Sequence, residues 1–190
     1  MFAIRWFSHA VKKRAAAAAG EKVKWQRRKT AKTVNNLVIC DWAALRNKYN
    51  ILAISDCIEG NYLGGIPHDS YELIENVQNM LNSMEKQSID YHLSHLNADS
   101  GFDVKSFLAF IEQMEMVPNI KQNKRNTKKT EQTYRYMSDY IYANRFKIEV
   151  VFAWLDTYKR ILVRFEKLAI NFKSWLNIAA AMINFRHIFN

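Results

Sequence analysis

The sequence predicts an α/β fold, a mixed sheet with helices on both faces. Three observations carry that reading. Short apolar runs at residues 36–40 (NLVIC) and 50–55 (NILAIS) are rich in β-branched residues, as strands are. Later segments place apolar residues every three or four positions, as amphipathic helices do. The resulting order is strand, strand, helix, strand, helix, strand, helices, which is that of an α/β domain.

Bulk composition agrees with one substantial domain. The chain has 190 residues, 49% of them apolar and 24% charged, which is ordinary globular material able to bury a core. It contains no apolar run long enough to span a membrane. Cys40 and Cys57 make neither a zinc spacing nor a disulfide framework and read as small buried hydrophobes.

The elements follow in order. Residues 1–19 are ambiguous: Phe2, Ala3, Ile4, Trp6 and Phe7 suit a short strand, and residues 14–19 suit a helical turn or a low-complexity join. The first twenty residues are also basic and free of acids, a composition that organelle transit peptides share. Residues 22–32 form a basic arm, followed by the two strands. Gly60, Gly64, Gly65 and Pro67 mark a loop. Asp69 and Ser70 can cap a helix whose apolar face is Leu73, Ile74, Val77, Met80, Leu81 and Met84. A strand over 91–98 ends in a turn at Asp99, Ser100 and Gly101. A second helix carries Val104, Phe107, Leu108, Phe110, Ile111 and Met114, and a strand follows at 117–120. Residues 121–133 read as a basic loop, and 138–160 and 167–186 as helices without Gly or Pro.

Charge is distributed unevenly. Residues 1–32 carry net +9, residues 41–115 net −8, and residues 116–190 net +9, within a total of +10. Basic ends of this strength favour a polyanion, nucleic acid above all. An acidic middle between them is where a cation-binding centre would lie; solvated faces explain the same numbers without one.

Several residues are candidates for chemistry. Asp99 sits where a strand ends, the place where open α/β sheets put their reactive groups, although an Asp at such a turn also serves as a helix N-cap. Glu149 lies among Ile148, Val150, Val151 and Phe152, where a carboxylate needs a partner or a cation to offset desolvation. Tyr142, Arg145 and Glu149 are spaced to share one helix face, so an Arg145–Glu149 ion pair is the structural alternative. Lys22, Lys24, Arg27, Arg28 and Lys29 interleave with Trp25, which suits phosphate contacts and base stacking. Lys124 and Arg125 belong to a second basic run. His92 and His95 make a poor metal pair on a strand. His68 and His187 add nothing further.

The spacing Tyr142, Arg145, Glu149 resembles the C-terminal signature of insertion-sequence DDE transposases, in which a Lys is expected seven residues after the Glu. Asp156 stands at that position, and Lys159 lies one turn later. Residues 96–103 (LNADSGFD) resemble the segment that carries the family's second catalytic Asp, here Asp99. Residues 119–129 resemble its basic Asn/Arg-rich loop.

The resemblance implies a ribonuclease-H-like sheet in which two Asp and one Glu bind two Mg²⁺ ions for DNA cleavage and strand transfer. It assigns catalytic and metal-ligand roles to Asp99 and Glu149. It assigns DNA contacts to the basic arm, Lys124, Arg125, Tyr142, Arg145 and Lys159. Transposon ends and target DNA, a homodimer, and a bacterial cytoplasmic location at the nucleoid follow from it, with no membrane.

The departure lies at the start. Arg5 or Trp6 stands near where the first catalytic Asp belongs, and Asp41 is no replacement because it falls at the end of the second strand. The expectation is therefore an irregular or degenerate segment over 1–20, a partial catalytic domain over 21–190, and a fold incomplete at the N-terminus. The chain then reads either as a DNA transposase missing one carboxylate or as a non-catalytic DNA-binding remnant.

Overall fold

The computed structural model describes residues 1–11, 24–26, 31–43, 48–54, 72–123, 136–166 and 168–189. Its centre is a seven-stranded mixed sheet built on β1 (Phe2–Val11). On one side β1 pairs antiparallel with β3 (Ala31–Ala43). β2 (Lys24–Gln26) pairs with the start of β3 and β4 (Lys48–Ile54) with its end, both antiparallel. On the other side β1 runs parallel to β5 (His95–Ala98), which runs parallel to β6 (Val117–Ile120).

The period of two along each strand divides the core. Phe2, Ile4, Leu37 and Ile39 face α1 (Leu73–Lys86) and α2 (Lys105–Gln113), packing with Val77, Met80, Phe107 and Ile111. Ala3, Val38 and Cys40 face the other way. There they meet Ile148, Val151 and Leu155 of α4 (Ile148–Asp156) and Phe172, Leu176 and Ile183 of α6 (Ala169–Phe189). Helices thus cover both faces, as predicted.

Four local expectations change. Phe2–Val11, expected as a short strand or part of an irregular segment, is a ten-residue strand at the centre of the sheet, with Phe2, Ala3 and Ile4 reaching the two cores. The strand expected over 91–98 shortens to its last four residues. Asp90 holds the His92 backbone N–H at 3.0 Å, and Ser94 N–H bonds Tyr91 O at 3.2 Å, so the chain turns before it pairs. The helix expected over 138–160 divides into α3 (Asp139–Ala143), a 3-10 turn (Asn144–Lys147), α4 and α5 (Lys159–Leu162). Thr157 Oγ1 bonds Trp154 O at 2.6 Å and Tyr158 turns extended, which ends α4 without Gly or Pro. Finally, α1 starts after Glu72, which has φ 47° and no side-chain cap; Asp69 and Ser70 lie outside the described residues.

Two features went unforeseen. β7 (Val163–Arg164) pairs parallel with Ala10 and Val11 at the far end of β1. Asn184 of α6 pairs with Ile51 like a strand: its Oδ1 accepts from Ile51 N–H at 2.9 Å and its Nδ2 donates to Ile51 O at 2.8 Å. That satisfies backbone groups of β4 which would otherwise invite pairing with another chain.

Candidate functional site

The register of β1 on β5 builds the site. Phe2 lies opposite Leu96 and Ala3 opposite Asn97. Two residues further on, Arg5 comes beside Asp99, which follows the last residue of β5. By alternation Arg5 shares the face of Ala3, and that face is covered by α4, the helix that carries Glu149.

The side chains meet there. Arg5 Nη1 donates to Glu149 Oε1 at 2.5 Å, and Arg5 Nε lies 3.5 Å from Asp99 Oδ2. Arg145 Nε donates to the other Asp99 oxygen at 3.1 Å. The Arg145 guanidinium stacks over the Tyr142 ring at 4.3 Å, and Lys121 Nζ lies 5.9 Å from the same ring. Burial holds the Tyr142 hydroxyl above its ordinary pKa; Arg145 opposes that shift and Asp99 adds to it.

Asp99 therefore does not act through its side chain as an N-cap: it precedes a 3-10 turn (Ser100–Phe102), and its carboxylate makes no cap bond there. The Arg145–Glu149 pair is likewise replaced, since Arg145 serves Asp99 and Glu149 takes Arg5. Glu149 is also not desolvated. Its side chain is 56% exposed, because Ile148 and Val151 take the buried positions of α4.

Behind the charged groups lies a buried amide network that the sequence reading missed. Asn97 and Asn119 are opposite each other on β5 and β6, and both are fully buried. Asn119 Nδ2 donates to Asn97 Oδ1 and to Ser138 O, each at 3.3 Å, and its Oδ1 accepts from Ser138 N–H at 2.8 Å. Asn97 Nδ2 donates to Ile141 O at 2.8 Å. These bonds dock the start of α3, and so place Tyr142 and Arg145 above the end of β5. The signal was present in sequence: one Asn in the third position of each of two apolar strands, HLNA and VPNI.

Of the remaining predicted DNA contacts, Lys159 and Lys24 lie among the described residues. Lys159 is exposed at the start of α5, and no hydrogen bond or ion pair joins it to Asp99 or Glu149. Lys24 lies in β2, opposite Thr33. Lys22, Arg27, Arg28, Lys29, Lys124 and Arg125 fall outside the described residues, as do His68 and Cys57. Cys40 is buried, and burial, with Asp41 nearby, pushes its thiol pKa far up. His92 pairs through Nδ1 with Asp90 at 2.7 Å rather than with His95.

The donor set does not fit a two-metal centre. Divalent cations of this class need several converging oxygens. Among the described residues no group of three or more His, Cys, Asp or Glu is placed to hold a metal ion. Both carboxylates already face guanidinium groups, which donate and cannot ligate.

Comparison with known proteins adds two findings. The family model described as transposase DDE domain matches residues 96–186, the stretch that contains Asp99 and Glu149. A solved structure, titled as the piggyBac transposase synaptic complex with hairpin DNA, superposes with a TM-score of 0.50 at 10% identity. The superposition covers 96% of this chain and 45% of that one. This likeness is one of fold, and it spans more of the chain than the family match does. The α/β sheet is consistent with the ribonuclease-H-like expectation. No curated protein matches the sequence. Among the described residues, no helix is long and apolar enough to cross a membrane.

Proposed function

We propose that this chain is a DNA-binding protein of transposase descent whose two-metal cutting centre has given way to carboxylates held by arginine. One observation carries the reading: Arg5 stands in the sheet beside Asp99 and bridges it to Glu149. In a working DDE centre of an insertion-sequence enzyme that strand position is where the first carboxylate is expected. A carboxylate there would gather three negative groups around Mg²⁺. Arg5 instead places a fixed positive charge between the two that are present.

The consequence is a change in what the site attracts. Asp99 and Glu149 stand against Arg5, Arg145 and Lys121, so the local balance is positive rather than strongly negative. Such a surface suits a phosphodiester backbone directly, without a bridging cation. The basic segments at 22–32 and 121–129 extend the same preference along the chain. A protein that binds DNA in this way would sit with the nucleoid of a bacterial cell.

The test is nicking of DNA that carries the terminal repeats flanking the gene, in Mg²⁺ or Mn²⁺, by the unaltered chain and by Glu149→Ala. The expected result is salt-sensitive binding by both proteins with no metal-dependent cleavage by either. Cleavage by the unaltered chain that disappears in Glu149→Ala would overturn the proposal and restore the catalytic reading, with the first carboxylate elsewhere.

A further inference from the structure

Helices α1 and α6 cover opposite faces of the sheet and meet beyond its edge. Between them, along the outer side of β4, lies a cleft of about 370 Å³. That is at the lower end of the ~300–1,000 Å³ of small-molecule sites. The cleft shares no lining residue with the Arg5 site. β4 pairs with β3, and β3 with β1, so it lies two strands away.

Its walls are rows of uncharged polar side chains. α1 contributes Asn76, Asn79, Ser83 and Gln87, whose spacing of three, four and four puts them on one side of the helix. α6 contributes Lys173, Asn177 and Asn184, spaced four and seven. Ile51 and Leu52 of β4 and Met80 of α1 add apolar surface. Among the described residues no carboxylate lines the cleft: Glu75 and Glu85 of α1 do not, and α6 has no Asp or Glu. Lys173 is the one charged side chain in the lining.

The fold uses part of this set. Asn184 bonds Ile51, Asn76 Nδ2 donates to Glu72 O at 2.8 Å, and Gln87 Nε2 donates to Ser83 O at 3.1 Å. Asn79 and Asn177 are left over. Both are exposed, and among the described residues neither side chain makes a hydrogen bond. Asn184 shows what such a carboxamide does when it meets a partner: it accepts from Ile51 N–H and donates to Ile51 O at once.

We propose that the cleft binds a nucleotide, with the base edge at Asn79 and Asn177 and the phosphate at Lys173. A nucleobase edge sets donors beside acceptors, and a carboxamide answers both, as Asn and Gln do to adenine. The faces of the ring suit Ile51, Leu52 and Met80. One cation suits one phosphate, and no carboxylate is present to repel it. An amine or a divalent cation would need those missing carboxylates, so neither fits. A neutral sugar would make no use of Lys173. A free nucleotide and one carried in a DNA strand offer the same chemistry, and the experiment separates them.

The chain carries net +10, so any anion binds it weakly somewhere, and the readout must report the cleft itself. The experiment follows the side-chain NH₂ resonances of Asn79 and Asn177 in the ¹⁵N-labelled full chain. The titrants are the four deoxynucleoside 5′-monophosphates, inorganic phosphate at matched ionic strength, and single-stranded trinucleotides. We expect at least one nucleotide to shift both resonances saturably, with a Kd below about 1 mM, and phosphate alone to leave them in place. Asn79→Leu, Asn177→Leu and Lys173→Gln should each weaken binding about fivefold or more, and Lys173→Arg should retain it. Asn82→Leu, on α1 but outside the lining, should change nothing. Circular dichroism confirms that each variant is folded. No saturable shift, an equal response to phosphate, or an affinity indifferent to the three variants overturns the proposal. With the site upheld, tighter binding of a trinucleotide assigns it to a DNA strand, and equal or weaker binding assigns it to the free nucleotide. Nucleotide binding here does not require the duplex contacts proposed for Arg5 and Arg145, so either can fail alone.

Discussion

Arg5 and Asp99 are neighbours across the parallel register of β1 and β5, and Arg5 reaches from there to Glu149. One side chain thus stands within hydrogen-bond or ion-pair reach of both carboxylates that the family resemblance singles out. Its removal should reveal what they can bind. In Arg5→Asp three carboxylates would converge. The ion pairs that this substitution breaks join side chains 34%, 36% and 56% exposed, so stability without metal should fall by only about 1 kcal/mol. Added Mn²⁺ should then raise the melting temperature of Arg5→Asp and leave that of the unaltered protein unchanged. A thermal-denaturation series with and without Mn²⁺ reads this directly. Equal stabilisation of both proteins would mean that Arg5 does not govern access to the carboxylates.

DNA binding should be independent of divalent ions. The positive groups that face the site are side chains, so EDTA has nothing to remove. Affinity for a duplex should be the same in EDTA and in Mg²⁺ at matched ionic strength, and should fall steeply as monovalent salt rises. Glu149→Gln should strengthen binding a few-fold, because it removes a negative charge and frees Arg5 to meet a phosphate. Fluorescence anisotropy with a labelled duplex measures both effects. A requirement for Mg²⁺ would contradict the exchange of metal for arginine.

Asn119 should matter more for stability than any charged residue of the site. It is fully buried and makes three hydrogen bonds, to Asn97, to Ser138 N–H and to Ser138 O. Asn119→Ala leaves buried polar groups without partners, at a cost of about 1–3 kcal/mol each. Urea denaturation should show a loss of roughly 2–4 kcal/mol. The exposed Lys159→Ala should shift stability by less than about 0.5 kcal/mol.

How far the sequence could reach follows from the same residues. Asp99 and Glu149 were legible because each sits in a local pattern, a strand end before a turn and a Tyr–Arg–Glu spacing. The core face of α1 was legible from its three- and four-residue apolar spacing, whereas the two-sided burial at Phe2, Ala3 and Ile4 was not legible in a segment that looked irregular. Arg5's role was not, because it depends on which residue of β1 lies beside Asp99, ninety-four positions away in the chain. The breaks within residues 138–160 were hidden too: a Thr157 side chain and a 3-10 turn make them, with no Gly or Pro to announce them.

The Asp90–His92 pair, which precedes β5, offers a test separate from these charges. The hydrogen bond that His92 donates to Asp90, and then the charge of Asp90 with those of Glu115 and Glu85, holds the His92 pKa above its ordinary 6.5; the bond also lowers Asp90 from 3.8. A raised histidine contributes stability that is fully present below 6.5 and is lost as pH rises through its folded value. A lowered carboxylate contributes stability present above 3.8 and lost as pH falls through its folded value. The pair is therefore most effective between about pH 4 and 6.5. Because both groups lie at the surface, the readout is a titration rather than a stability. The His92 ring-proton shift, followed by NMR, should have its midpoint above 6.5 in the unaltered protein and a lower one in Asp90→Asn. A midpoint indifferent to that substitution would assign the shift to Glu115 and Glu85 instead.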